Sequence, residues 1–214
     1  MAFEQALAAE PARALVLLAS PNNPTGHDPT PEEIVRLATR FSHHTFLVDR
    51  VYKEFSRETF ATLGSLDNII TLGSFSKFFG LPGLRVGFAI GKLPAVQSMA
   101  LGPGPWALQI CKAALEDCEY YRGNWKLMAD IATRLQEIQT PAGRFMKTQA
   151  PFVLFRCNQR IREEDLRDAQ TKSAVIGKII FTGPEMLIRW SLGSPEAFQR
   201  ISNCIQILES RLSY

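Results

Sequence analysis

The residues of this chain with the means to do chemistry stand at the ends of apolar runs. Asn23 lies in S-P-N-N-P-T-G (residues 20–26), Asp49 and Tyr52 in D-R-V-Y (49–52), and Ser74 and Lys77 in G-S-F-S-K (73–77). Arg85 follows in a glycine-rich stretch, and Arg189 stands in M-L-I-R-W-S-L (186–192). These are the side-chain types that carry protons and bind anions. Each alone has an ordinary structural reading. Asn, Pro and Gly supply the backbone geometries of turns, so the first segment reads equally as a loop. Asp49 suits a solvated strand end or a helix cap, and Lys77 an exposed turn lysine. Arg189 differs, because a guanidinium within a stretch that reads as a buried strand is costly without an anionic partner.

The elements that must position these residues follow from the apolar pattern. Runs at 14–19, 45–48 and 68–72 alternate with a helical pattern over 31–41, which predicts strands and a helix of an α/β sheet. A fourth run at 85–90 ends at Gly91 and precedes a helix starting near Pro94. Pro103, Gly104 and Pro105 break the chain before a helix over 106–118, with Trp106 as its anchor. Tyr121, Trp125, Met128, Ile131 and Leu135 recur at helical spacing, which predicts a long amphipathic helix over 119–138 joining two domains. Strands at 152–156, 175–181 and 186–192, a helix over 163–171 and a closing helix from Pro195 make a small α+β unit. The expected domains are 1–118 and 119–214. Ligands of open α/β sheets bind beyond the carboxyl ends of the strands, so the three polar segments converge on one place.

Composition excludes disorder: 214 residues at 46% hydrophobic are ample for a core. The net charge of +3 is spread along the chain without a basic run, which argues against a nucleic-acid partner. Cys111, Cys118, Cys157 and Cys204 form no C-x-x-C pair and no zinc-ligand spacing with the three histidines, so buried reduced thiols and no metal are expected. Cys111 and Cys118, seven apart, share a helix face. His43 and His44 read as a solvated helix end. The first ten residues lack a basic start and an apolar stretch, and no run is long enough to span a bilayer; the expectation is a cytoplasmic protein with no membrane partner.

In their order and separations, S-P-N-N-P-T-G, D-R-V-Y, S-F-S-K-F-F-G-L-P-G-L-R-V-G and I-R-W-S-L-G resemble the aminotransferase class I and II family of fold-type I pyridoxal phosphate enzymes. The closest resemblance is to histidinol-phosphate aminotransferases and to the threonine-phosphate decarboxylases of cobalamin synthesis, with P-G-P-W leaning towards the latter. The resemblance implies a partial large domain with a mainly parallel sheet and helices, a small C-terminal domain, and pyridoxal 5′-phosphate as cofactor. The implied reaction transfers an amino group between an amino acid, phosphorylated or not, and a 2-oxo acid; decarboxylation of threonine phosphate is the alternative.

The resemblance also assigns roles. Lys77 holds the cofactor as a Schiff base and then moves the proton as general acid and base. Asp49 pairs with the pyridine nitrogen and keeps it protonated. Asn23 and Tyr52 bond the phenolic oxygen, Ser74 and Arg85 bind the phosphate, and Arg189 grips the substrate carboxylate bidentately. Trp106 falls near the active site and the dimer partner.

Family members carry, before S-P-N-N-P-T-G, several sheet elements, a glycine-containing phosphate loop and an aromatic ring that stacks on the cofactor. Without them one side of the sheet is unpaired and its helices uncovered, so the expectation is a homodimer or a complex that covers this region. A catalytically silent half that works only with a partner chain is the competing expectation.

Overall fold

The computed structural model describes residues 2–53, 63, 66–92 and 102–212. The helix expected near Pro94 lies outside the described residues. The chain divides into two compact units, one of Met1–Asn22 with Asp28–Tyr121 and one of Asn23–His27 with Arg122–Tyr214.

The first unit holds α1 (Ala2–Ala9), β1 (Leu15–Ala19), α2 (Pro31–Arg40), β2 (Thr45–Asp49), β3 (Ile69–Ser74), a 3-10 turn (Pro82–Leu84), β4 (Gly87–Ile90), α3 (Pro105–Glu116) and the start of α4 (Cys118–Gln136). The sheet order is β1-β2-β3-β4; the first three strands are parallel and β4 runs antiparallel to β3. α2 starts where Thr30 Oγ accepts the Glu33 amide and Glu33 Oε2 accepts the Thr30 amide, with Pro31 as the first helical residue. Its apolar face, Ile34 and Ala38, packs on Val16, Phe46, Val48 and Ile69. Alternation along the strands therefore turns Leu15, Leu17, Leu47 and Asp49 to the opposite face, where Leu15 and Leu17 are 61% and 68% exposed. A second cluster joins Phe75, Phe79 and Val86 to Cys111 and Ala114 of α3.

Three sequence expectations for this unit are corrected. β4 begins at Gly87 rather than at residue 85, because Arg85 adopts a left-handed backbone with φ of 55° that no strand accommodates. His44 is no solvated helix end: it is 1% exposed, its Nδ1 accepts the Ala14 amide at 3.2 Å and its Nε2 lies 3.4 Å from the Leu7 carbonyl, tying α1 to the start of β1. Trp106 is no anchor: it is 84% exposed, since the buried positions of α3, Cys111 and Ala114, face another way.

The second unit holds the rest of α4, β5 (Gly143–Met146), β6 (Phe152–Cys157), α5 (Glu163–Lys172), β7 (Gly177–Thr182), β8 (Glu185–Ser191) and α6 (Ala197–Leu212). Its antiparallel sheet has the order β5-β6-β8-β7. One face, with Val153, Phe155, Ile188 and Trp190, packs on Ile131, Leu135, Leu166, Ile201 and Leu208. The fold is thus the expected α/β class, a parallel-containing sheet followed by an α+β unit. β7 starts at Gly177, later than expected, because Ala174 turns the chain with φ of 49°. β8 is buried on one face only: Met186, Ile188 and Trp190 point into the core and Arg189 away from it. Cys111, Cys157 and Cys204 are buried, whereas Cys118 is only half-buried and donates to the Leu115 carbonyl.

Candidate active site

β2 and β3 are parallel neighbours, so their carboxyl ends lie side by side with Asp49 closing one and Ser74 the other. Asp49 stands in register with Leu72, and Ser74 is two residues further along on the same face, which puts their Cα atoms roughly 8 Å apart by strand geometry. Asp49 Oδ1 accepts the Val51 amide at 3.0 Å, which bends the chain as it leaves β2. Among the described residues nothing donates to Oδ2. Ser74 Oγ accepts the Ser76 amide at 3.0 Å and donates to the Val86 carbonyl at 3.4 Å. Asp49, Ser74, Ser76 and Arg85 line a cavity of about 510 Å³ together with the strand residues between them.

Arg85 reaches that cavity from its left-handed backbone, with Nη1 donating to the Pro82 carbonyl at 3.3 Å. A non-glycine residue in this region carries strain, and such strain gathers where a side chain must be aimed. Gly73 is required for a different reason. A Cβ there would fall 2.1 Å from the ring of Phe88, which lines the same cavity.

Lys77 is exposed in the turn after β3, which closes with the Gly80 amide donating to the Lys77 carbonyl at 3.1 Å. Its Nζ stands 5.6 Å from the ring centroid of Tyr52, which is 7% exposed. Lys77 and Tyr52 pair with each other and are not part of the cavity lining. Asn23 and Arg189 belong to the second unit, where Arg189 Nη1 donates to Asn23 Oδ1 at 3.1 Å and Nη2 to Ser191 Oγ at 3.3 Å. The anionic partner expected for Arg189 is absent among the described residues; an amide oxygen and a hydroxyl hold it, because β8 leaves it half-buried rather than enclosed.

Ser76 lines the cavity without having been singled out from the sequence. Its signal is the S-x-S spacing at the end of β3, which lets the first hydroxyl accept the amide of the second serine.

Comparison with known proteins relates the chain to one family. The family described as aminotransferase class I and II matches residues 1–139. The threonine-phosphate decarboxylase of Pseudomonas aeruginosa is 32% identical over 132 residues, covering 58% of this chain and 40% of that protein. The histidinol-phosphate aminotransferase of Methanosarcina mazei is 28% identical over 219 residues, covering 96% of this chain and 57% of that one. The chain therefore spans about two-fifths to three-fifths of the length of these relatives. Among solved structures, histidinol-phosphate aminotransferase from Sinorhizobium meliloti in complex with pyridoxal-5′-phosphate aligns with a TM-score of 0.77 at 20% identity, over 97% of this chain and 60% of that one. L-threonine-O-3-phosphate decarboxylase from Porphyromonas gingivalis aligns with a TM-score of 0.72 at 23% identity, over 94% and 65%. These likenesses share one fold, and with the family match over well over half of its residues the chain belongs to the aminotransferase class I and II family.

Proposed function

We propose that this chain works in transfer of an amino group between an amino acid and a 2-oxo acid, with pyridoxal 5′-phosphate as cofactor. The observation that carries the reading is the cavity at the ends of β2 and β3. It offers a carboxylate oxygen with no donor among the described residues at the end of one strand, and two serines with a guanidinium at the end of the next, the Cα atoms of Asp49 and Ser74 lying roughly 8 Å apart. That donor set fits an aromatic cation joined to a phosphate group, and the cavity's volume suits a small cofactor.

When bound, the cofactor supplies an electron sink for the bonds at the substrate Cα. The chain's own residues do the rest. Asp49 would pair with the pyridine nitrogen and keep it protonated. Ser74, Ser76 and Arg85 bind the phosphate oxygens with charge-assisted bonds. Asn23 and Tyr52 match the family positions that would hydrogen-bond the phenolic oxygen. Lys77 Nζ would be the amine that holds the cofactor, and the same group would serve as general acid and base for the proton at the substrate Cα. Arg189 orients the substrate by its carboxylate, a planar bidentate task suited to its fork of donors.

A second reading, decarboxylation of a phosphorylated amino acid, is favoured by the similarity to the Pseudomonas aeruginosa threonine-phosphate decarboxylase. One experiment separates the two. The cofactor-loaded protein is given a ¹⁵N-labelled amino acid and an unlabelled 2-oxo acid; ¹⁵N in the new amino acid supports transamination, and carbon dioxide release from a phosphorylated amino acid supports decarboxylation. Neither product, in the chain alone or in a homodimer or complex with a partner, would defeat both.

A further inference from the structure

Beneath the turn that carries Tyr52 lies a group of buried polar side chains with no role in the chemistry above. Lys53 Nζ is 4.0 Å from Asp28 Oδ2, and the two side chains are 1% and 4% exposed. Asp28 Oδ1 accepts the hydroxyl of Ser20 at 2.6 Å, and Ser20 is fully buried. The Ser20 amide in turn donates to the Asp49 carbonyl at 2.9 Å. Ser20 and Asp28 thereby pinch the base of the S-P-N-N-P-T-G loop, and Lys53 joins that base to the turn after β2.

We propose that Ser20, Asp28 and Lys53 form a buried strut that positions Tyr52. The inference rests on the reading of Tyr52 as a cofactor contact. The turn runs from Asp49 to Lys53. Its first end is fixed by the sheet, where the Arg50 amide donates to the Leu72 carbonyl at 2.9 Å and the Val51 amide to Asp49 Oδ1 at 3.0 Å. Its second end closes with the Lys53 amide donating to the Arg50 carbonyl at 2.8 Å, and the Lys53 side chain is drawn inward to Asp28. Tyr52 lies between two fixed points, with its ring beside Lys77. Buried ion pairs seldom add net stability over apolar side chains of like volume, so the contribution of this one is the fixed geometry of the turn. Asp28 and Lys53 are positioning residues, acting through Tyr52 rather than on the reacting atoms.

The test begins with the full chain free of cofactor. Tyrosine nitration by tetranitromethane is followed residue by residue by mass spectrometry, with Tyr120, which is 61% exposed, as internal reference. Single variants Asp28→Asn and Lys53→Met break the pair from one side only and risk misfolding; the double variant removes both charges and keeps the volume. In the folded double variant the rate at Tyr52 relative to Tyr120 should rise about tenfold, as expected for loss of local protection. An unchanged ratio overturns the strut. A second arm measures the dissociation constant of pyridoxal 5′-phosphate with and without Tyr52→Phe. The double variant should weaken binding about fivefold when Tyr52 is present and leave it unchanged when Phe replaces it; equal factors in both backgrounds show a merely structural role and overturn the proposal. If the unaltered chain binds no cofactor, the reading of the site falls, while the nitration ratio still decides the strut.

Discussion

Arg189 Nη1 donates to Asn23 Oδ1 at 3.1 Å, joining residues 166 positions apart within the second unit. Nη2 bonds Ser191 Oγ, and the guanidinium carbon lies 5.0 Å from the centre of the Phe152 ring. Neutral acceptors and an aromatic face thus fix the plane of the guanidinium while its charge stays available to a ligand. Arg189→Lys should raise the dissociation constant of a carboxylate-bearing substrate by roughly 10- to 100-fold, the scale of a charge-assisted pair, and leave that of the matching amine without a carboxylate unchanged. Titration of both compounds checks this; equal losses for the two would remove Arg189 from carboxylate recognition.

Arg85 and Ala174 share a left-handed backbone, with φ of 55° and 49°, but only Arg85 lines the cavity. Glycine relieves the strain at either site, so Arg85→Gly and Ala174→Gly should each raise the free energy of unfolding by about 0.5–1 kcal/mol. Cofactor affinity should separate them: Arg85→Gly loses a bond to phosphate worth about 1.5–3 kcal/mol, and Ala174→Gly loses none. Urea unfolding and cofactor titration on the two variants measure both quantities. If Arg85→Gly binds cofactor as the parent does, Arg85 has no place in the phosphate site.

Burial pushes the thiols of Cys157 and Cys204 up to about 12, with Cys157 adding to the effect at Cys204. An unfolded thiol titrates near 9.0, so between that value and about 12 the unfolded chain gives up protons that the folded chain keeps. The unfolded state then binds fewer protons, and stability, complete below 9.0, is lost as pH rises through this window by ~1.4 kcal/mol per pH unit for each thiol. Urea unfolding at about pH 8 and about pH 10 should show the loss, and the double variant Cys157→Ala, Cys204→Ala should lose less over the same interval. Equal losses would show that the thiols titrate alike in both states.

Much of this architecture is legible in the sequence because local signals suffice for it. β1, β2 and β3 are apolar runs bounded by turn residues, and Thr30, Pro31 and Glu33 announce α2 one residue at a time. That Asp49 and Ser74 stand at strand ends follows from where those runs stop. β5 was not legible: Gly-Arg-Phe-Met has no alternation, and it forms on the edge of its sheet against β6. The burial of His44 depends on Ala14 and Leu7, 30 and 37 residues away, which no local pattern contains. The left-handed turn at Arg85 and the neutral partners of Arg189 are likewise tertiary facts. Asp28 and Lys53 look like surface charges in the sequence and become a buried pair only when two loops meet.

Whether Lys77 holds pyridoxal 5′-phosphate can be measured directly. The protein is loaded with cofactor, reduced with borohydride, digested and mapped by mass spectrometry. One modified lysine, Lys77, is expected, with loss of the label in Lys77→Ala. A label on Lys53 or Lys92, or a label that survives the Lys77→Ala substitution, would contradict it.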